Sequence, residues 1–130
     1  EIKAALKAGR MLSGHHKLIA VVQPHRYSRL ADLFADFCSC FNDADEVLVA
    51  DIYAAGEAPI EGADKAALIA GLRDHGHKAA AGLDGPDQLA AEIATRTSSG
   101  DVVMCLGAGD ITAWAAALPY ELDKLAGESA

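Results

Sequence analysis

Leu18-Ile19-Ala20-Val21-Val22, followed at once by Gln23-Pro24-His25-Arg26-Tyr27-Ser28-Arg29, is the stretch on which the fold turns. An unbroken apolar run of this length, without polar alternation, predicts a strand buried on both faces, as in a parallel sheet covered by helices. Pro24 has no N–H to give a ladder and ends the strand. Beyond it Leu30, Leu33, Phe34, Phe37, Cys38 and Phe41 recur at helical spacing and predict one amphipathic helix over 30–42. The chain thus passes from a buried strand, through a cationic turn, into a helix.

Working outward, the same alternation repeats. Glu46–Asp51 reads as a second buried strand, opening into a long loop over 52–62. Asp64 is placed to N-cap a helix carrying Leu68, Ile69 and Leu72 and ending near Gly76. Lys78–Gly82 is a short strand candidate. Pro86 suits the first turn of a helix carrying Leu89 and Ile93. Asp101–Leu106 is the last strand, and Gly107-Ala108-Gly109-Asp110 turns into a helix starting near Ile111, with a further short helix after Pro119. Upstream, Ile2, Leu6 and Gly9 mark one face of an opening helix. Strands alternating with helices predict parallel pairing through right-handed crossovers. The expected fold is α/β: a three-layer, Rossmann-like, mostly parallel doubly wound sheet forming one domain over residues 1–130. Glu1 lies inside the predicted opening helix with no cap and no initiating Met, so a fragment of a longer polypeptide is expected.

Bulk properties narrow the function classes. Hydrophobic residues make up 52% and charged residues 23% of the 130, a globular balance. The net charge of −8 disfavours a nucleic-acid footprint or an anionic membrane surface, so any anion site has to be local. The apolar runs are too short to span a bilayer. Cys38, Cys40 and Cys105 form an odd set without a disulfide framework, which suits a reducing, cytoplasmic compartment. They read as structural thiols, and Cys38 and Cys40, two apart, diverge on a helix and chelate poorly.

In a doubly wound sheet, ligands bind beyond the carboxyl ends of the strands. Gln23–Arg29, Tyr53–Gly62 and Gly107–Asp110 each follow a predicted strand and share that edge. Arg26 and Arg29, at the start of the following helix, suit a carboxylate or phosphate, because guanidinium grips such groups bidentately and a helix start favours anions. His25 can add a donor. The alternative is a solvated pair, or arginines bridged to Glu57 or Asp51. Glu57 reads either as a partner for an amino group or arginine, or as a surface carboxylate. Gly107-Ala108-Gly109 resembles a dinucleotide fingerprint but has Thr112 where the third glycine belongs, so it reads as a tight turn. His15 and His16, adjacent and therefore expected to diverge, make a weak metal site; His75 and His77 read as a helix end. No Gly-x-x-x-x-Gly-Lys-[Ser/Thr] loop, Gly-x-Ser-x-Gly elbow or His-Glu-x-x-His helix is present.

These segments, with Asp32-Leu33-Phe34, Asp51-Ile52-Tyr53-Ala54-Ala55-Gly56-Glu57-Ala58-Pro59-Ile60 and Gly107-Ala108-Gly109-Asp110-Ile111, closely resemble the C-terminal domain of the Mur ligases of peptidoglycan synthesis. The likeness covers nearly the whole chain with the motifs in order, and the Pro-His-Arg-Tyr-Ser-Arg run favours the alanine-adding member over the tripeptide-adding sibling. The resemblance implies a third domain whose upstream UDP-sugar and ATPase domains are absent here; Glu1-Ile2-Lys3 resembles the end of a His-His-Pro-x-Glu junction. It also implies an ATP-dependent ligation in the bacterial cytoplasm, with UDP-N-acetylmuramate and L-alanine as substrates. ATP activates the muramoyl carboxylate as an acyl phosphate, with Mg2+, both bound mainly outside this domain, which is not expected to be catalytic alone. His25, Arg26, Tyr27, Arg29 and Glu57 are the residues it assigns to substrate binding, and no metal ligand. A free-standing anion-binding regulatory domain is the alternative of a different class.

Overall fold

A computed structural model describes residues 2–77, 79–107 and 109–129, without the side chains of Glu128 and Ser129. Its elements are α1 (Ile2–Ser13), β1 (Leu18–Val22), α2 (Tyr27–Asp32), α3 (Phe34–Ser39), β2 (Glu46–Val49), α4 (Lys65–Asp74), β3 (Ala80–Gly82), α5 (Pro86–Arg96), β4 (Val102–Leu106) and α6 (Ile111–Ser129). The strands form one parallel sheet in the order β3-β2-β1-β4. The chain builds outward from β1 through β2 to β3, then crosses back to lay β4 on the far side of β1. The order therefore reverses between β1 and β4, which opens a crevice there at the carboxyl ends of the strands.

The pleat divides the core. Leu18, Ala20 and Val22 face α1, α2, α3 and α4 together with Val47, Val49, Leu68, Leu72 and Phe41. Ile19 and Val21 face α5 and α6 with Leu48, Leu83, Leu89, Ile93 and Ile111. Every residue of β1 is buried, which is why its sequence is an apolar run with no alternation.

Two expected elements differ. The helix expected over 30–42 is two short ones, since Leu33 leaves helical dihedrals at φ −114°, ψ 22°. The hydrogen bonds Leu33 N–H to Arg29 O and Phe37 N–H to Leu33 O carry the chain through the kink. Leu33 turns outward and is 39% exposed, while Leu30 and Cys38 stay in the core. Side-chain periodicity records which residues are apolar and carries no trace of such a kink. Beyond Ile111 the helix runs through Pro119 without a break. Leu118 is buried and Trp114, Leu122 and Leu125 pack on the same core cluster, so contacts on both sides of the proline outweigh its missing N–H. The remaining strands and helices fall where expected with frayed bounds, Asp64 caps α4 by accepting from Ala67 N–H at 2.8 Å, and Lys78 lies outside the described residues.

The amino-terminal edge of the sheet is closed by ion pairs. Glu46 accepts from Lys17 Nζ and from Arg96 at 2.7 Å each. Asp45 accepts from Leu18 N–H and from Arg10 at 2.7 Å each. Asp101 accepts from Lys17 N–H at 2.9 Å and Ser98 N–H at 2.8 Å. His15 and His16 do not diverge: their ring centroids lie 4.4 Å apart, and His16 reaches within 3.9 Å of Asp101. His75 bonds the Gly71 carbonyl at 2.8 Å, a helix-end role. His77 is buried, its Nε2–H donating to Ala44 O at 2.8 Å. Burial pushes the thiols of Cys38 and Cys105 up, and that of Cys40 to about 11, which keeps them protonated and unreactive.

Burial raises the Glu46 carboxyl, but hydrogen bonds from Lys17 and Arg96 outweigh it and hold it below the ordinary glutamate range. A lowered folded pKa stabilises above the unfolded value and is lost as pH falls through the folded one. Glu46→Gln should therefore cost about 1.5–3 kcal/mol at neutral pH. In urea unfolding, its gap from the natural sequence should shrink below about pH 4; a gap constant to about pH 3 would contradict this.

Candidate functional site

The carboxyl edge is built differently. Gln23 directly follows β1, and its N–H donates to Leu106 O at 2.9 Å, extending the β1–β4 pairing by one residue. Its buried side-chain oxygen accepts from Ile111 N–H at 3.1 Å, satisfying one of the free donors that open α6. Gly107 and Gly109 make this packing possible. A Cβ on Gly107 would lie 2.7 Å from Gln23 O, and one on Gly109 would lie 2.7 Å from Tyr53 Cγ and 2.9 Å from Gln23 Oε1. The expected tight turn after β4 is thus set by close approach to the β1 turn, with Ala108 outside the described residues.

The β1 and β2 turns are joined past the end of the sheet. Tyr53 N–H donates to Pro24 O at 2.9 Å and Arg26 N–H donates to Tyr53 O at 2.7 Å, an isolated parallel bridge between His25 and Tyr53. Their rings stack, with centroids 5.2 Å apart and planes 13° from parallel. Arg26 is held between these contacts at φ 73°, ψ 136°. A residue with a Cβ pays about 1–3 kcal/mol for such backbone.

Arg26 and Arg29 are exposed, His25, Tyr27 and Ser28 half-buried. The turn borders an open depression of about 620 Å³ lined by His25, Arg26, Ser28, Arg29, Asp32 and Leu33. Beside it, in the crevice between β1 and β4, lies a more apolar cavity of about 400 Å³ reached by Gln23, His25, Arg29 and Gly107. Among the described residues neither Arg26 nor Arg29 forms an ion pair. Asp51, offered by the sequence as an arginine partner, is taken by Lys65 at 2.9 Å. Tyr27 packs its ring against the core under α2.

Glu57 accepts from Ser28 Oγ–H at 2.6 Å and from Ser28 N–H at 3.1 Å. These two bonds, with Arg26 nearby, hold its carboxyl below the ordinary glutamate range. The anion expected at the start of the helix is therefore supplied by the chain itself. α2 is also only six residues long, so the guanidiniums, rather than the helix start, are what the turn offers a ligand. The sequence places His25, Arg26, Tyr27, Arg29 and Glu57 on one edge; the structure brings His25, Arg26 and Arg29 to one depression, while Tyr27 turns to the core and Glu57 is bound to Ser28. Sequence reading missed the roles of Gln23, Tyr53 and Gly109; a glutamine directly after a fully buried strand was the available signal.

The family model described as Mur ligase, glutamate ligase domain, matches residues 1–109. The chain belongs to the Mur ligase family. Proteins named UDP-N-acetylmuramate–L-alanine ligase are similar throughout: that of Rhodospirillum centenum is 60% identical over 129 residues, 99% of this chain and 27% of its own length. That of Methylobacterium nodulans is 61% identical over 130 residues, 100% of this chain and 27% of its own. The chain thus spans about a quarter of the length of these relatives. A crystal structure of a domain described as coming from a UDP-N-acetylmuramate:L-alanyl-γ-D-glutamyl-meso-diaminopimelate ligase of Haemophilus ducreyi shares the fold. It has a TM-score of 0.62 and 21% identity, covering 93% of this chain and 80% of that one. For this Mur ligase domain, the conformation of Arg26 gives a test independent of activity. Arg26→Gly and Arg26→Ala both remove the guanidinium, but only glycine relieves the backbone. Arg26→Gly should unfold at higher urea, by about 1 kcal/mol. Equal stability of the two would show that Arg26 is not strained.

Proposed function

We propose that this chain is the C-terminal domain of a UDP-N-acetylmuramate–L-alanine ligase, and that His25, Arg26 and Arg29 are its contribution to the amino-acid site. The observation that carries the reading is a pair of exposed guanidiniums without an ion pair among the described residues, at a turn whose backbone is hydrogen-bonded to Tyr53 beside the switch-point crevice. Identity near 60% with alanine ligases over almost the whole chain supports that member of the family.

In the ligation, the neutral amine nitrogen of alanine attacks the acyl-phosphate carbon, and the tetrahedral adduct loses an amine proton and expels phosphate with the electron pair of the C–O bond. Such a step needs placement of the amine and compensation of charge on the phosphate. A guanidinium meets either need, gripping the alanine carboxylate or the leaving phosphate bidentately. His25 adds a hydrogen bond. Tyr27 and Glu57 serve from beneath, one packed on the core and the other holding Ser28. Among the described residues no three His, Cys, Asp or Glu side chains converge as a metal site, and the sequence has no phosphate-binding Gly-Lys loop. The described residues do not fit a magnesium–nucleotide site of their own. The reading therefore assigns ATP and Mg2+ to the central ATPase domain, against which this edge closes, and the isolated domain to inactivity. A reaction fed by ATP and a UDP-sugar belongs in the bacterial cytoplasm, and no described helix is long and apolar enough to cross a membrane.

In the full-length ligase, Arg26→Ala or Arg29→Ala should lower kcat/KM for L-alanine by about 10- to 100-fold, the worth of a hydrogen bond to a charged group. Steady-state kinetics with each substrate varied in turn checks this. Near-normal kinetics for both variants would mean that the arginines are merely solvated.

A further inference from the structure

The loop after β2 meets the cationic turn through one side chain. Tyr53 contributes both backbone groups of the bridge that fixes His25 and Arg26, and its ring stacks on His25 at 5.2 Å. The same ring abuts the backbone of Gly109 so closely that a Cβ there would overlap it, at 2.7 Å from Cγ and 2.8 Å from Cδ2. Gly109 in turn lies against Gln23, whose side chain receives the first N–H of α6. The loops following β1, β2 and β4 therefore converge on a single aromatic ring. None of these contacts uses the phenol oxygen, which has no hydrogen bond among the described residues. A strained backbone persists only where its surroundings over-determine it, and at Arg26 those surroundings are largely Tyr53.

We infer that Tyr53 is a positioning residue for the amino-acid site: stacked on His25 and seated against Gly109, it holds Arg26 in its strained conformation and so sets where the incoming carboxylate is gripped. The inference rests on the proposed role of Arg26 and deepens it. The ring's flatness matters and its hydroxyl does not. Gly109 is required because any side chain there would displace the ring towards His25 or drive it out of the crevice.

The test is kinetic, on the full-length ligase, with L-alanine and UDP-N-acetylmuramate varied separately. Tyr53→Phe should stay within about twofold of the natural enzyme, whereas Tyr53→Leu, which keeps the backbone bridge but loses the flat ring, should raise the KM for L-alanine about tenfold. Its KM for UDP-N-acetylmuramate should not move, and kcat at saturating alanine should change less than KM. Gly109→Ala should follow Tyr53→Leu; because it also presses on Gln23, the Tyr53 pair carries the decision. A loss of folding alone would lower the active fraction and leave both KM values in place. Tyr53→Phe losing as much as Tyr53→Leu would overturn the inference. So would an unchanged alanine KM in Tyr53→Leu alongside a raised one in Arg26→Ala. An unchanged alanine KM in Arg26→Ala and Arg29→Ala would instead remove the functional reading beneath it.

Discussion

The pairing between β1 and β2 does not stop where the sheet does. Pro24 interrupts the ladder because it has no N–H, yet its carbonyl accepts from Tyr53 N–H at 2.9 Å, and Arg26 N–H returns the contact to Tyr53 O at 2.7 Å. Everything distinctive about the carboxyl edge depends on this second pairing. It draws the long loop after β2 back over the β1 turn, forces Arg26 through a backbone region that ordinary residues avoid, and brings Glu57 within reach of Ser28. A turn left to itself would relax and let two long cationic side chains wander, at an entropic cost to any ligand that had to order them. Here the backbone that carries Arg26 is set during folding by its pairing with Tyr53.

Charge divides the two edges of the sheet by use. At the amino-terminal edge Glu46, Asp45 and Asp101 are each matched to a cation or to backbone N–H groups. At the carboxyl edge Lys65 is matched to Asp51, and Glu57 is spent on Ser28. The guanidiniums of Arg26 and Arg29 form no ion pair among the described residues, although Asp32 lines the same depression, on a protein whose overall charge is −8. A net negative field repels anions in general, so a carboxylate or phosphate is held only where a few donors are placed at short range. That arrangement suits a small substrate better than a polyanion.

Much of the fold was legible because parallel strands buried on both faces leave uninterrupted apolar runs, as in Leu18–Val22, and because Asp64 and Pro86 mark helix starts by local chemistry. The kink at Leu33 was not, since apolar spacing leaves no trace of a break in backbone dihedrals, nor was the unbroken α6 through Pro119, where packing on the core cluster overrides local preference. Within the site, Arg26, Arg29 and His25 could be found by residue type and by their place after a strand. The engagement of Glu57 with Ser28 could not, because it joins positions far apart in sequence through a loop whose path depends on Tyr53. Gly109 is a similar case. Its motif reads as a tight turn, while the constraint that demands glycine there is an aromatic ring arriving from the loop after another strand.

The most direct test of the central claim is a crystal structure of the full-length ligase with a phosphorylated analogue of the tetrahedral intermediate that carries the alanine carboxylate. The account predicts a carboxylate or phosphate oxygen about 2.7–2.9 Å from the guanidinium of Arg26 or Arg29, with the Arg26 backbone still at positive φ. An analogue bound in full by other residues, with both guanidiniums facing solvent, would contradict it.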